Sequence, residues 1–209
     1  MPDRAATVTV TVTTVVLDFG EVISTPQPEQ ARTELERLSG VAPNEFWRAY
    51  WAHRLAYDVG LSAEEYWQRI AADTGANWDL AQRQHLWAAD VTSWLTVRES
   101  SAELIAELAE QVRLVLLSNA PTDIARVLRS SPLFARFETL CFSCEVGTAK
   151  PDPDIYTGLL RRLDVKPAET AFVDDRADNV AAARALGMAA HQYTDAVQAR
   201  DFLARLGVL

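Results

Sequence analysis

Four short stretches of this chain carry side chains that can hold a cation or an anion, three of them at the end of an apolar run. In Val15-Val16-Leu17-Asp18-Phe19-Gly20-Glu21-Val22-Ile23 a β-branched run stops on the Asp18 carboxylate, with Gly20 two places on. Val112–Leu117 leads into Ser118-Asn119-Ala120-Pro121, a hydroxyl and an amide at a corner where free backbone N–H groups and a helix dipole would favour an anion. Lys150 stands between the glycine-bearing loop Gly147-Thr148-Ala149 and two prolines, Pro151 and Pro153, that stiffen the backbone carrying its ammonium. Thr170-Ala171-Phe172-Val173 ends on Asp174-Asp175, with Asn179 one turn further on. Adjacent carboxylates repel unless a cation or donor compensates them, so this pair is a candidate for a hard divalent ion with oxygen ligands. Asp18 brings the acids at strand ends to three, and Mg²⁺ typically takes one or two carboxylates with water and phosphate oxygens. A rigidly held ammonium beside such a cluster is what a dianionic ligand would require.

Each stretch also has a plainer reading. Asp18 could cap a turn or helix, Ser118 or Asn119 could be an ordinary N-cap, and Asp175 could cap the helix that Gly187 closes. A loop lysine is usually just solvated.

The elements that would position these groups alternate. Thr7–Leu17 reads as a strand that enters with Thr/Val alternation and turns continuously apolar toward the centre of a sheet. After residue 95 come a helix at Glu99–Gln111 and strands at Val112–Leu117, Leu140–Ser143 and Thr170–Val173, with a helix from Asp154 to Leu163 between the last two. Strands alternating with helices imply parallel pairing with crossover helices. In such a sheet ligands bind in the crevice outside the carboxyl ends of the strands, where all four stretches end.

The alternation is interrupted between Ser24 and Leu95. Pro26 and Pro28 break the chain, and four helices follow, at Glu29–Leu38, Pro43–Tyr57, Ser62–Asp73 and Leu80–Leu95, with Pro43 suited to a first helical turn and Ser62-x-x-Glu65 to a capping box. All six tryptophans lie in this block, which reads as a helical cap (24–95) inserted into a Rossmann-like core (1–23 and 96–209). Phe46, Trp47, Tyr50 and Trp51 could line a hydrophobic pocket, but their helical spacing favours the core of a small bundle.

Composition narrows the class. With 29 acidic against 20 basic residues the net charge is −9, which argues against nucleic acid or an anionic membrane as partner. No apolar run approaches the roughly 20 residues of a membrane span, and Met1–Thr14 lacks the apolar centre of a signal peptide, so a cytoplasmic protein is expected. Cys141 and Cys144 straddle a strand and its exit and read as ordinary buried or half-buried thiols. His53, His85 and His191 stand at no ligand spacing.

In this order the four stretches resemble the haloacid dehalogenase-like hydrolase superfamily, and within it the phosphatases with a small helical cap between the first and second motifs. The likeness covers nearly the whole chain and is closest at Val173-Asp174-Asp175-Arg176-Ala177-Asp178-Asn179-Val180. It implies a three-layer α/β fold whose parallel sheet has strand order 5-4-1-2-3, with the nucleophile strand in the middle and the cap over the site. It further implies Asp18 as nucleophile, Ser118, Asn119 and Lys150 as phosphate-binding groups, Mg²⁺ held by Asp18, the Gly20 carbonyl and Asp174, and Asp175 orienting metal-bound water or Lys150. The expected function is Mg²⁺-dependent hydrolysis of a small phosphorylated metabolite, a sugar phosphate favoured, through an aspartyl-phosphate. Gly20 departs from the usual pattern, since most phosphatases of the family carry there an Asp that serves as general acid and base. Glu21 takes the next place, so the departing oxygen would be protonated by water, by Glu21 or by nothing, and Gly20 itself could be required for its backbone angles. Two alternatives remain: a 2-haloacid dehalogenase, and a catalytically weak protein that binds phosphorylated ligands on the same scaffold.

Overall fold

The structure is a computed structural model that describes residues 11–209. Strand β1 (Thr14–Leu17) is followed by four consecutive helices, α1 (Glu29–Ser39), α2 (Pro43–Asp58), α3 (Ala63–Thr74) and α4 (Leu80–Ser93). Helices and strands then alternate, except that two helices follow β3: α5 (Glu99–Leu108), β2 (Arg113–Ser118), α6 (Thr122–Ser130), β3 (Thr139–Phe142), α7 (Ser143–Val146), α8 (Pro153–Leu163), β4 (Thr170–Asp174), α9 (Ala177–Ala185), β5 (Ala189–Gln192) and α10 (Ala196–Arg205).

All four strand pairings are parallel, and the order β3-β2-β1-β4-β5 is the expected order counted from the other edge. β1 lies in the middle, with Leu17 opposite both Leu116 and Val173, and all four of its residues are buried. Successive side chains of a strand point to opposite faces. Val15 and Leu17 therefore join Leu104, Ile124 and Leu203 from α5, α6 and α10, while Val16 joins Tyr156, Leu159 and Val180 from α8 and α9. This makes three layers, as an all-parallel sheet covered on both faces requires.

The expected strand Thr7–Leu17 is shortened. Its residues 7–10 lie outside the described residues, and Thr11–Thr13 precede β1, although Thr13 still joins the sheet by donating to the Glu169 carbonyl and accepting from Arg113 N. Ser143 opens α7 instead of closing β3, and helices α4 and α5 stop two and three residues before the expected Leu95 and Gln111. Strand β5 carries no sequence signal: Ala-Ala-His-Gln lacks the β-branched and aromatic residues that mark strands.

Helices α1–α4 form a cluster of their own around Leu35, Phe46, Tyr50, Tyr66, Trp67 and Ile70. Ser62 caps α3 by accepting from Glu65 N while its hydroxyl donates to the Glu65 carboxylate. The two segments that enter and leave the four helices touch at an antiparallel bridge between Ser24 and Val97.

Candidate active site

Parallel strands deliver their carboxyl ends to one edge of the sheet, and three of the four chemistry-bearing stretches arrive there from β1, β2 and β4. Asp18 follows β1 directly, and its backbone N–H still donates to the Val173 carbonyl, 3.0 Å away, which fixes it beside Asp174 at the end of β4. Lys150 reaches in from the loop before α8. Its ammonium is almost completely covered and makes three bonds, to Asp174 Oδ2 at 2.7 Å, Asp18 Oδ1 at 2.8 Å and the Leu117 carbonyl at 2.8 Å.

One ammonium thus serves two carboxylates, and Asp175 makes a third; one oxygen from each of Asp18, Asp174 and Asp175 lies within 4.8 Å of the others. The electrostatic consequence is visible in the acids. Burial, only partly opposed by Lys150 and reinforced by Asp174, raises the Asp18 pKa to about 7. Burial, with Asp174 and Glu21 adding to it, raises Asp175 to about 6. Burial also depresses Lys150, but the Asp174 and Asp18 carboxylates outweigh it and hold its pKa above the ordinary value. The ion pair at 2.8 Å lowers Asp18, but burial, with the neighbouring Asp174 carboxylate adding to it, outweighs that pairing.

Asp174 is fully buried and held by the Arg176 backbone N–H at 2.9 Å and by the Asn179 amide at 2.9 and 3.1 Å. Asp175 does not cap α9: the N-cap position is Arg176, without a side-chain cap bond. Asp18 Oδ1 accepts from the Phe19 backbone N–H at 2.7 Å as well as from Lys150, whereas its Oδ2 takes no hydrogen bond from the described residues.

Ser118 and Asn119 sit where the sequence places them, with different jobs. Ser118 is buried, lines the cleft and makes no side-chain hydrogen bond among the described residues, which leaves its hydroxyl free for a ligand. The Asn119 amide is engaged at both ends by the Lys150 backbone. Gly20 is a correction to expectation: its φ is not positive, and a Cβ built there would meet nothing within 4 Å. The left-handed residue of this turn is Glu21, with φ 57°.

These groups form the floor of a cleft of about 450 Å³, and its other wall comes from the helical insertion: Trp51, Arg54, Leu55 and Asp58 of α2, and Trp94. The expected aromatic stripe is split. Phe46 and Tyr50 are fully buried in the bundle, but Trp51 is 52% exposed and faces the cleft. Positions i and i+1 point about 100° apart on a helix, so a doubled stripe cannot lie on one face. Sequence inspection missed Arg54, Leu55 and Asp58, although the pairs Trp51/Leu55 and Arg54/Asp58, each at i, i+4, were a readable sign of two further faces.

A family model for haloacid dehalogenase-like hydrolases matches residues 12–187. The chain is 26% identical over 194 residues to the sesquiterpene phosphatase astK of Aspergillus oryzae, covering 87% of this chain and 90% of that one. Its fold matches the crystal structure of an enzyme of the same family from Bacteroides thetaiotaomicron, solved with magnesium and inorganic phosphate, with TM-score 0.73, 19% identity, and coverage of 88% of this chain and 94% of the other. It also matches L-2-haloacid dehalogenase from Xanthobacter autotrophicus, with TM-score 0.68, 20% identity and coverage of 92% and 83%. At those identities the two structures establish the fold.

Proposed function

The chain belongs to the haloacid dehalogenase-like hydrolase family, and we propose that it hydrolyses phosphomonoesters of a small metabolite, with Asp18 as nucleophile, Mg²⁺ as cofactor and residues 24–95 as a cap over the site. The observation that carries this reading is the convergence of three acids, Asp18, Asp174 and Asp175, around one buried ammonium that pairs with only the first two, an arrangement short of positive charge. A dehalogenase attacks carbon and needs no ion there, so it gives no reason for three converging acids.

The donor set suits Mg²⁺: hard carboxylate oxygens, with the Gly20 carbonyl as a further candidate. When bound, the ion supplies the positive charge that offsets repulsion between an anionic nucleophile and a phosphoryl dianion. Asp18 in its ionised form needs no base: it bonds to phosphorus, the bond to the leaving oxygen breaks, and water then cleaves the acyl phosphate to release inorganic phosphate. Ser118 and Lys150 stabilise charge on the equatorial oxygens, and Lys150 keeps Asp18 and Asp174 in register. The Asn119 side chain acts through the Lys150 backbone that it holds. Asp175 orients the attacking water. No side-chain acid stands at Gly20, which leaves Glu21 at the mouth of the cleft, or water, to protonate the departing oxygen. The free thiols Cys141 and Cys144 fit a reducing compartment such as the cytoplasm.

The test is phosphate release from a panel of aryl, alkyl, sugar and nucleotide monoesters with and without EDTA. Release that requires Mg²⁺ and disappears in Asp18→Asn is expected. Release that persists in EDTA or in Asp18→Asn would overturn the proposal, and chloride release from 2-chloropropionate without Mg²⁺ would assign the dehalogenase reaction instead.

A further inference from the structure

The cleft over Asp18 has two unlike walls. On the side of the strand ends it presents Glu21, Ser118, Asp175 and Arg176; on the side of the insertion it presents Trp51, Leu55 and Trp94 beside the largely buried Arg54 and Asp58. Trp51 and Leu55, one turn apart on α2, are 52% and 63% exposed and both line the cleft. Trp94 stands edge-on to Trp51, the ring centroids 6.4 Å apart. Single exposed apolar side chains are ordinary on any protein. Two on one helical turn, converging with a third on the space above a nucleophile, make a surface.

The two charged side chains of that wall, Arg54 and Asp58, are paired with each other. Arg54 donates Nε to Asp58 Oδ1 at 2.8 Å and Nη1 to the Tyr50 hydroxyl at 2.7 Å, and its guanidinium lies 5.1 Å over the Trp94 ring. The Tyr50 hydroxyl donates in turn to Asp90 at 2.6 Å. A leaving group rich in hydroxyls would lose water against this wall and find few free partners, and an unpaired buried hydroxyl is costly. Sites that recognise hydroxyls do so with dedicated hydrogen-bonding groups.

We infer that the leaving group of the substrate is a hydrocarbon, lying on Trp51 and Leu55 against Trp94, and not a sugar. This inference rests on the phosphatase reading for the reaction but on the cap wall alone for the ligand. A cleft of about 450 Å³ falls within the range of small-molecule sites and has room for a phosphoryl group and a medium-length chain. Each methylene taken out of water contributes up to about fourfold in affinity, so even partial burial of a chain is measurable.

The experiment is calorimetric titration of the whole protein, with Mg²⁺, by ethyl-, butyl-, hexyl- and octylphosphonate, which cannot be hydrolysed. The same chain lengths are then assayed as alkyl phosphates, whose leaving groups differ little in acidity. Octylphosphonate is expected to bind at least tenfold tighter than ethylphosphonate, and kcat/KM to rise in parallel. In Trp51→Ala, in Leu55→Lys and in the double variant Trp51→Ala/Leu55→Ala that ratio is expected to fall toward one. Both side chains are more than half exposed, so these variants keep the core intact, and circular dichroism checks it. A ratio near one in the wild-type protein, a ratio that survives the double variant, or tighter binding of glucose 6-phosphate than of octylphosphonate would overturn the inference. An intact chain-length ratio in binding with no phosphate released from any ester would keep the hydrocarbon subsite and sink the phosphatase reading.

Discussion

The side chain of Asn119 grips the backbone of Lys150 at both ends: its Nδ2 donates to the Lys150 carbonyl at 2.8 Å, and its Oδ1 accepts from the Lys150 N–H at 2.9 Å. The loop carrying the buried ammonium is thereby tied to the end of β2, and the ammonium in turn sets the distance between Asp18 and Asp174. Asn119→Ala removes both bonds without touching either carboxylate. Displacing a catalytic group by about 1 Å costs on the order of 100-fold, so a kcat loss of about 10- to 100-fold is expected, with KM changed much less. Steady-state kinetics on an aryl phosphate checks it; an unchanged kcat would mean that the prolines hold the loop unaided.

Gly20 and Glu21 have exchanged the roles that their residue types suggest. Gly20 has ordinary φ and open space at its Cβ position, while Glu21 adopts φ 57°. Gly20→Asp should therefore fold, with a stability change within about 1 kcal/mol. Without an acid at this position, good leaving groups such as aryl phosphates are expected to react faster than phosphates of primary alcohols. General acid–base help is worth about 10²–10⁴ in rate, so Gly20→Asp should narrow that aryl-to-alkyl gap by at least tenfold, while Glu21→Gln widens it. If the wild-type enzyme treats both ester types alike and Glu21→Gln changes neither rate, the proton comes from elsewhere in the cleft.

Protons and Mg²⁺ compete for the same acids. Burial, opposed by Lys150 and aided by Asp174, puts Asp18 at about 7, and burial puts Asp175 at about 6, both above the ordinary 3.8. Between pH 4 and 7 the folded metal-free protein therefore holds protons that the unfolded chain has lost. Its stability falls as pH rises through that window and levels off above about 7. Mg²⁺ binds the ionised form and stabilises the folded state by mass action. The rise in Tm on adding 5–10 mM Mg²⁺, about the concentration a weak site needs, should be small at pH 5 and largest near pH 8; Asp174→Asn should diminish it. Equal shifts at both pH values would show that these carboxylates are not where the ion binds.

What could be read in advance follows the physics of each signal. Three of the four site stretches were legible because each ends an apolar run, and a buried strand has to stop where its chemistry begins; Lys150 was legible from the glycine and prolines around it. Leu17 and Val173, opposite each other in the sheet, bring Asp18 and Asp174 together from places 156 positions apart in the chain. That register is not written locally in either segment. Strand β5 was illegible because alanine has little β preference and pairing with β4 alone makes it a strand. The sharing of Lys150, the double grip of Asn119 and the exchange between Gly20 and Glu21 depend on side-chain directions and backbone angles set by packing. The apolar wall was half visible: the tryptophan density was plain, but only the rotation of α2 decides that Phe46 and Tyr50 face inward and Trp51 faces the cleft.

Ser143 joins the insertion to the strand ends through a single hydroxyl. It donates to the Asp58 carbonyl at the end of α2 and accepts from Ala120 N at 3.0 Å, and both Ser143 and Ala120 are buried. Nearby, the Tyr57 hydroxyl donates to Asp123 at 2.9 Å, a second tie between α2 and α6. Ser143→Ala leaves a buried N–H and a carbonyl without their partner, so a stability loss of about 1–3 kcal/mol is expected. Tyr57→Phe removes a partly exposed bond and should cost less, about 0.5–1.5 kcal/mol. Because both ties fasten the last turn of α2, which also carries Asp58 of the cleft wall, the two losses should not add. A coupling of at least 0.5 kcal/mol, in the usual range for neighbouring residues, is expected from urea unfolding of the four proteins in a double-mutant cycle. Additive losses would mean that α2 is held at this end by two independent contacts and not by one cooperative joint.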